Sequence, residues 1–408
     1  MAYNPPDGYS LIGTQGGPEV KIVLSKTIPV ILLSVFILLF TNQATFATSY
    51  SITGLGLEGI QSTAFAINDR GQVIGTLDQG IYLYDKGNLT DVTARYNIGP
   101  GQYGPSGMDI NNRGQIVTND SNANAVLLSR GVTTNLNTIG APINIPLGIN
   151  NSGQVVGEYW NNQSFTYAFL YSESQMRDLG LGPSSGANAI NESGRITGWY
   201  APQSNYQAIL YDDGIVTNIS PFGSTQSLGY DINNQGQVVG EYLTLDGSST
   251  RGFSYSNGEV TDLGVLGGSY SAATALNERG QVVGSSTALV GTEVLCDEYG
   301  NCAEYPVYSD HAFVYEQGLI TDLNNLIPPN SGWELDWAYD INNRGEIVGV
   351  GFYNGEQRGF LLTPGPEPAT MLLSASDPVT PVPEPATMLL LAPGLAGLAG
   401  LKRKLRKN

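Results

Sequence analysis

The side chains that most often perform catalysis or bind metal ions are scarce in this chain. One histidine, His311, and two cysteines, Cys296 and Cys302, are all that the 408 residues contain of those two types. No nucleophile with a matching base can be assembled around a single histidine in a predicted strand, so we expect a packed structural role for His311. Two thiolates without a nearby histidine provide only half of a tetrahedral zinc shell. The sequence therefore predicts no zinc site, no redox centre and no histidine-dependent hydrolase.

Carboxylates, in contrast, are abundant. Residues 48–364 carry 31 acidic and 11 basic side chains, a net charge of −20. A field of this sign repels phosphate backbones, which excludes nucleic-acid binding as the main function. Glycoside hydrolysis needs only two carboxyl groups, but such abundance always provides some pair at a suitable separation and so identifies no site.

Three aspartates are the most informative of these carboxylates. Asp109, Asp231 and Asp340 occupy the same position of an internal repeat, two residues before a recurring asparagine. We expect them to lie near a common axis and to form hydrogen bonds where neighbouring repeats meet. A shared ligand or cation site, with calcium as the ion, is the alternative.

The repeat itself provides the elements that position these residues. The typical unit opens with a run of the form Ala-x-x-Ile-Asn, turns at Asn-x-x-Gly and continues as Gln-Val-Val-Gly, with single replacements in several units. The successive asparagines are separated by 43, 39, 41, 42, 44 and 65 residues. They are Asn68, Asn111, Asn150, Asn191, Asn233, Asn277 and Asn342.

Two more β-like runs follow in the complete units, for example 168–171 and 176–179. Four strands in about 42 residues match the length of a propeller blade. The sequence therefore predicts an all-β fold, a seven-bladed β-propeller over residues 48–363 with the first strand of each unit innermost. The last unit lacks a fourth strand after 359–362, and we expect 50–55 to fill that place and close the ring.

The Asn-x-x-Gly segment between the first two strands is predicted to be a tight turn. Asparagine caps such a turn through its side chain, and glycine supplies the positive φ. A calcium loop is the alternative, but the turn lacks the several carboxylates and the bidentate glutamate of an EF-hand loop.

Four aromatic residues follow the second strand in three units: Tyr159, Trp199, Tyr200 and Tyr242. Aromatic rings in exposed turns are able to stack on sugars, so a sugar-binding rim is one hypothesis. Packing against the neighbouring unit is the interpretation that we favour.

The N-terminal residues 1–47 have the layout of a signal peptide. The apolar run 28–40 follows Lys21 and Lys26 and precedes a stretch of small residues. At this length the run suits a cleaved signal helix better than a membrane span, and a retained anchor is the alternative.

The C-terminal residues 382–408 combine an apolar run with the basic end Lys402, Arg403 and Lys404, followed by two further cations. Pro383, Glu384 and Pro385 stand directly before the apolar run. This segment resembles the PEP-CTERM sorting signal of Gram-negative bacteria. The resemblance implies a short transmembrane sorting helix, recognition and cleavage by an exosortase, which is a membrane transpeptidase, and transfer to the cell surface. A second copy that begins at Pro366 lacks the apolar run and lies in the Pro-rich linker 364–381, so we expect it to be inactive.

The repeats over 62–362 resemble the HAF-type extracellular repeats. The name-giving triplet is complete in one unit, as His311, Ala312 and Phe313, and is degenerate elsewhere. The resemblance implies a surface or secreted protein and no particular reaction.

Export to an oxidising compartment makes a disulfide the expected state of Cys296 and Cys302. Five residues separate them, and Gly300 with Asn301 allows the chain to turn back. We expect this bond to hold the insertion of the sixth unit as a rigid projection.

Two functions are compatible with these observations. The first is a non-catalytic propeller on the cell surface that binds extracellular polysaccharide or another surface partner. The second is a secreted carbohydrate-active hydrolase or lyase that uses carboxylates at the propeller mouth. The first is the interpretation that we favour, because the repeats are uniform and no catalytic set is evident.

Overall fold

The computed structural model describes residues 49–365 except 79, 100–107, 298 and 300. The predicted signal peptide, the sorting signal and nearly all of the linker lie outside these residues. No helix among the described residues has the length and apolar character needed to cross a membrane.

The described residues form an all-β fold of four-stranded antiparallel sheets. The chain begins with β1 (Tyr50–Leu55) and then builds sheets 1, 2 and 3, with the short helix α1 (Val92–Tyr96) between sheets 1 and 2. Sheet 1 contains β2 (Ser62–Ile67), β3 (Val73–Leu77), β4 (Gly80–Asp85) and β5 (Asn88–Asp91). Sheet 2 contains β6 (Asp109–Ile110), β7 (Ile116–Asn119), β8 (Ala125–Ser129) and β9 (Val132–Asn135). Sheet 3 contains β10 (Ile143–Ile149), β11 (Val155–Trp160), β12 (Thr166–Ser172) and β13 (Gln175–Asp178).

The same order of strands continues to residue 364. Sheet 4 contains β14 (Ser185–Ile190), β15 (Ile196–Tyr200), β16 (Gln207–Asp212) and β17 (Ile215–Asn218). Sheet 5 contains β18 (Ser227–Ile232), β19 (Val238–Leu243), β20 (Thr250–Ser256) and β21 (Glu259–Gly264). Sheet 6 contains β22 (Gly267–Leu276), β23 (Val282–Cys296), β24 (Cys302–Glu316) and β25 (Leu319–Asp322). Sheet 7 contains β26 (Trp333–Ile341), β27 (Ile347–Tyr353), β28 (Glu356–Pro364) and the N-terminal β1.

Two connections depart from this regularity. One parallel bridge between Thr250 and Tyr270 joins sheets 5 and 6. Short 3-10 turns occur in the loops at Pro202–Ser204, Pro221–Gly223 and Leu323–Asn325.

The N-terminal strand completes the last sheet, as the sequence predicts. β1 pairs antiparallel with β28, and the register runs from Tyr50 opposite Pro364 to Leu55 opposite Gly359. The backbone N–H of Tyr50 also donates to the Leu326 carbonyl at 2.8 Å. The two ends of the described chain are therefore held in one sheet, and β28 has a partner strand on each side.

A closed circuit of asparagines joins the first strands of the sheets. The Asn68 side chain donates through Nδ2 to the backbone carbonyl of Asn111, and each later asparagine of the repeat does the same to its successor at 2.9–3.2 Å. Asn342 donates to the carbonyl of Asn68, which completes the circle. The first strand of each unit is therefore innermost, as predicted, and the arrangement is propeller-like.

The same asparagines fix the turn between the first two strands. Asn68 Oδ1 accepts from the backbone N–H of Arg70 and of Gln72, both at 3.0 Å, and Gly71 has a φ of 78°. The predicted structural turn is confirmed. Sequence inspection missed the second role of the asparagine, which is to bind the neighbouring sheet.

The glycine that ends each Gln-Val-Val-Gly run is needed for close approach. A Cβ on Gly240 would collide with the Leu228 carbonyl and lie 2.9 Å from the ring of Phe253, which is fully buried. Gly284 and Phe313 have the same relation in sheet 6. A bulge in the first strand and an aromatic ring from the third thus meet over a glycine of the second.

Candidate functional site

The ring of sheets has two ends with different chemistry. Because neighbouring strands are antiparallel, the turns after the first and third strands of a sheet lie at the same end, which we name the Asn-turn end. The opposite end is named the mouth end.

Polar side chains at the Asn-turn end are engaged in a second closed circuit. The residue after each recurring asparagine donates its backbone N–H to the side chain of the next equivalent residue, at 2.7–3.2 Å. Its members are Asp69, Asn112, Asn151, Glu192, Asn234, Glu278 and Asn343. The carboxylates among them are thus structural links between sheets.

The three predicted aspartates tie neighbouring sheets together from the inner wall. Asp109 accepts from the backbone N–H of Ile110 at 2.7 Å and, across the sheet boundary, from that of Ile149 at 2.8 Å. Asp231 reaches the N–H of Leu276 in the same way at 2.9 Å. Asp340 reaches the next sheet too, through the N–H of Ile67 at 2.7 Å. The expected hydrogen bonds between repeats are confirmed.

The pKa values of all three aspartates are raised. Burial raises the pKa of Asp109 and of Asp231 to about 6, although their backbone hydrogen bonds lower it. Burial also raises the pKa of Asp340 well above its usual value, with a further contribution from the charges of the other two. Among the described residues, no three His, Cys, Asp or Glu side chains are placed to hold a metal ion. A shared ligand or cation site at these aspartates, with calcium as the ion, stays a prediction.

His311 is held by a carboxylate. Its Nδ1 lies 2.7 Å from Asp322 Oδ2, and this hydrogen bond raises the pKa of His311. Ser286, which faces His311 across the strand pair, donates its hydroxyl to the Tyr270 carbonyl at 2.8 Å instead. Asp322 thus orients the His311 ring within sheet 6.

An arc of aromatic rings crosses the first strands of three sheets, from Phe65 and Tyr339 near the Asn turns to Tyr270 toward the mouth end. The ring centroids of Tyr270 and Trp337 are 6.1 Å apart, those of Trp337 and Tyr339 are also 6.1 Å apart, and Tyr339 lies 5.3 Å from Phe65. All four rings are partly buried. We name these four residues the aromatic arc.

Carboxyl groups flank the aromatic arc. The Tyr270 hydroxyl donates a hydrogen bond to Glu241 at 3.5 Å. Burial raises the pKa of Glu241, and the hydrogen bonds from Tyr230 and Tyr270 offset part of that rise. Burial and the negative charge of Glu334 raise the pKa of Asp336 to about 6. Planar rings beside polar acceptors are the combination that binds hydroxylated sugar rings.

Sequence inspection did not select the arc. Phe65 and Tyr339, like Tyr230, stand three residues before the recurring asparagine, where the first strand bulges. Other units place Met108, Leu147, Asn188 and Thr274 there. The aromatic residues at this position in three units were the signal in the sequence that could have indicated the arc.

The four aromatics that the sequence suggested are not brought together as a rim. Tyr159 and Tyr242 lie in the apolar clusters that join their sheet to the preceding one, so packing against the neighbouring unit is confirmed for both. The ring of Trp199 lies 5.1 Å from that of Tyr206, in the loop of its own sheet. Tyr200 is partly buried beside it.

The insertion of the sixth unit is a long hairpin with a disulfide at its end. β23 and β24 each contain 15 residues. Cys296 and Cys302 lie opposite each other in the strand register and are joined by a disulfide bond. Most side chains from Leu289 to Tyr308 are exposed. The predicted disulfide and projection are confirmed.

Comparison with known proteins identifies the C-terminal end of the chain. Residues 381–404 match the PEP-CTERM protein-sorting motif. No curated protein matches the chain. Among solved structures, the extracellular domain of BT4673 from B. thetaiotaomicron has a TM-score of 0.46 and 10% identity, and the match covers 78% of this chain and 40% of that one. YCF48 from Cyanidioschyzon merolae has a TM-score of 0.45 and 7% identity, over 78% of this chain and 99% of that one.

The sorting motif indicates where the protein is located. A PEP-CTERM signal indicates export, processing by an exosortase in the membrane, and a cell-surface or extracellular location. The residues that the sequence assigned to processing, Pro383 to Pro385 and Lys402 to Lys404, lie outside the described residues.

Proposed function

We propose that this protein is an exported, non-catalytic, seven-bladed β-propeller that is displayed on the cell surface and binds neutral extracellular polysaccharide at its mouth end. The observation that carries the proposal is the aromatic arc with carboxyl groups on its flank. The seven sheets, each linked to the next by an asparagine, support the blade count.

The chemistry of the arc fits uncharged sugar rings. Aromatic faces stack on the C–H faces of a pyranose, and the carboxyl groups of Glu241 and Asp336 accept hydrogen bonds from sugar hydroxyls. Glu334 and Asp310 add negative charge near Asp336, which disfavours acidic sugars at this end.

A hydrolase or lyase is the second candidate, and one observation favours it. The pKa of Asp336 lies near 6 and that of Glu241 is raised, so these carboxyl groups hold protons closer to neutrality than ordinary ones do. A general acid of a glycosidase has this property. Binding and cleavage must therefore be measured on the same polymers.

The test compares two tryptophan variants of the full chain on neutral polysaccharides such as dextran and glucomannan. Trp337→Ala removes the centre of the arc, whereas Trp199→Ala removes a partly buried tryptophan outside it. We expect Trp337→Ala to weaken binding about tenfold, the effect of roughly 1.4 kcal/mol of lost stacking, and Trp199→Ala to leave it unchanged.

Two results would contradict the proposal. Equal loss of affinity in both variants, with unchanged thermal midpoints, would remove the arc as the binding site. Release of reducing ends or unsaturated sugars from the bound polymer would make the protein an enzyme, and loss of that release in Glu241→Gln or Asp336→Asn would identify the acid.

A further inference from the structure

Basic side chains are concentrated in one cleft between sheets 1 and 2. Arg70, Lys86, Arg95, Arg113 and Arg130 line a cavity of about 440 Å³. These are five of the 11 basic residues of 48–364, whose net charge is −20. Asp85 is the one carboxylate in the lining of this cavity, which therefore carries a charge of +4. We name this cavity the basic cleft.

The basic cleft is built from equivalent turns of adjacent sheets. Arg70 and Arg113 lie in the asparagine turns, and Lys86 and Arg130 lie in the turns between the third and fourth strands. All four are therefore at the Asn-turn end. Arg95 comes from α1, which is held against sheet 2 because Thr133 donates to its last carbonyl, that of Tyr96, at 3.3 Å.

Turn geometry does not explain the cations at Lys86 and Arg130. Both have positive φ, 49° and 48°, a conformation that favours asparagine, aspartate or glycine over long side chains. The same position in the other sheets has Glu173, Asp213, Asn257, Gln317 and Asn354. Basic residues at this position in two adjacent sheets indicate a binding role.

Among the described residues, the cleft cations differ from four other arginines in their ion pairing. Elsewhere in the described chain Arg195, Arg251, Arg344 and Arg358 form ion pairs. Within the residues that the structure describes, none of the five cations of the basic cleft forms a salt bridge, and all five are exposed. Gln72 donates to Asp85 at 3.0 Å, which gives that carboxylate a neutral partner. The positive charge is thus available to a ligand.

We infer that the basic cleft binds a segment of an anionic polysaccharide whose sugar units carry carboxylate or sulfate groups. A volume of about 440 Å³ is in the range of pockets for organic ligands and exceeds the needs of a single inorganic ion. Guanidinium groups bind carboxylate and sulfate oxygens in bidentate fashion. The inference deepens the proposed function, on which the choice of a polysaccharide rests, and it gives the two ends of the molecule different ligands.

The test uses the full chain and polymers of defined charge: polyuronate fragments, dextran sulfate, neutral dextran and single-stranded DNA. Arg70→Gln with Arg113→Gln removes two cations of the basic cleft. Arg279→Gln with Arg344→Gln is the matched control, because these arginines occupy the same repeat position in sheets 6 and 7.

We expect the cleft variant to bind the polyuronate or the sulfated polymer at least tenfold more weakly than the unmodified chain at low salt, and the control pair to bind within twofold. Raising the salt from about 0.05 M to about 0.5 M should abolish binding, because exposed charges are screened. Inorganic sulfate in excess should compete only weakly, and the comparison of polyuronate with dextran sulfate tells which anionic group is recognised.

Three results would overturn the inference: equal weakening in both double variants, no binding of either anionic polymer, or tighter binding of DNA than of the polysaccharides. Trp337→Ala separates this inference from the proposed function. If it abolishes neutral binding while no anionic polymer binds, the basic cleft alone is refuted. If no polymer of either kind binds the folded chain, both proposals fail.

Discussion

The three aspartates of the inner wall predict how stability depends on pH. Burial raises the pKa of Asp109 and of Asp231 from 3.8 to about 6, and that of Asp340 is raised as well. Since the folded pKa exceeds the unfolded one, the folded state binds these protons more tightly. Their stabilising contribution is complete below about pH 4 and is lost as the pH rises through about 6.

The magnitude follows from the size of this rise. For one isolated carboxyl group, a change from 3.8 to about 6 corresponds to about 3 kcal/mol. The three groups repel one another, so protonation of one lowers the pKa of the others, and the total is smaller than three times that value. We expect the free energy of unfolding to be about 5 kcal/mol higher at pH 4 than at pH 7.5. This difference raises the thermal midpoint by at least about 5 °C.

The assay is thermal unfolding of the full chain across this pH range, with two triple variants. Alanine replaces Asp109, Asp231 and Asp340 in the first, because alanine already occupies this position in sheets 1, 4 and 6. Exposed carboxylates are replaced in the control, Glu173→Gln, Asp213→Asn and Glu259→Gln, with the same change in net charge.

The first variant should lose most of the rise on acidification, and the control should keep it. A smaller rise should remain, since the pKa values of Glu158, Asp336 and His311 are also raised. The reasoning fails if the aspartate variant keeps the full rise, or if the unmodified protein becomes less stable between pH 7.5 and pH 5.

Three further predictions concern the seam, the tail and the hairpin. Deletion of 48–57 removes β1, leaves β28 with an open edge and should lower the thermal midpoint by more than 10 °C, whereas an unchanged midpoint would show that the seam does not hold the ring. Replacing Glu384 should leave unprocessed precursor in the membrane fraction, and replacing Glu367 should not; equal precursor levels would contradict the choice of the second motif. Thiol labelling of unreduced exported protein should find no free cysteine, and Cys296→Ser with Cys302→Ser should cost about 2 kcal/mol of stability by chain entropy, so two reactive thiols would refute the disulfide.

Short-range pattern was sufficient to predict the strands, the turns and the closure of the ring. Alternating side chains in strands, and glycine and asparagine in turns, determine structure within a few residues. The same pattern recurs about every 42 residues. The pairing of Tyr50–Leu55 with the last strand was predictable because a four-strand unit that lacks one strand leaves a definite vacancy. The sorting motif was readable for the same reason, since its proline, glutamate and basic residues are contiguous.

Apart from the aspartate hydrogen bonds and the packing of Tyr159 and Tyr242, the contacts between repeats could not be predicted in this way. The recurring asparagine was recognised as a turn residue, yet its Nδ2 binds a carbonyl about 40 residues away, in the next sheet. The aromatic arc joins Phe65 to Tyr339 only because the last sheet lies beside the first. The basic cleft exists because Lys86 of sheet 1 and Arg130 of sheet 2 line one cavity. Sequence specifies what each unit contains, whereas the angle and closure of the packed sheets specify which side chains of different units share a site, because those distances are set by packing and not by chain separation.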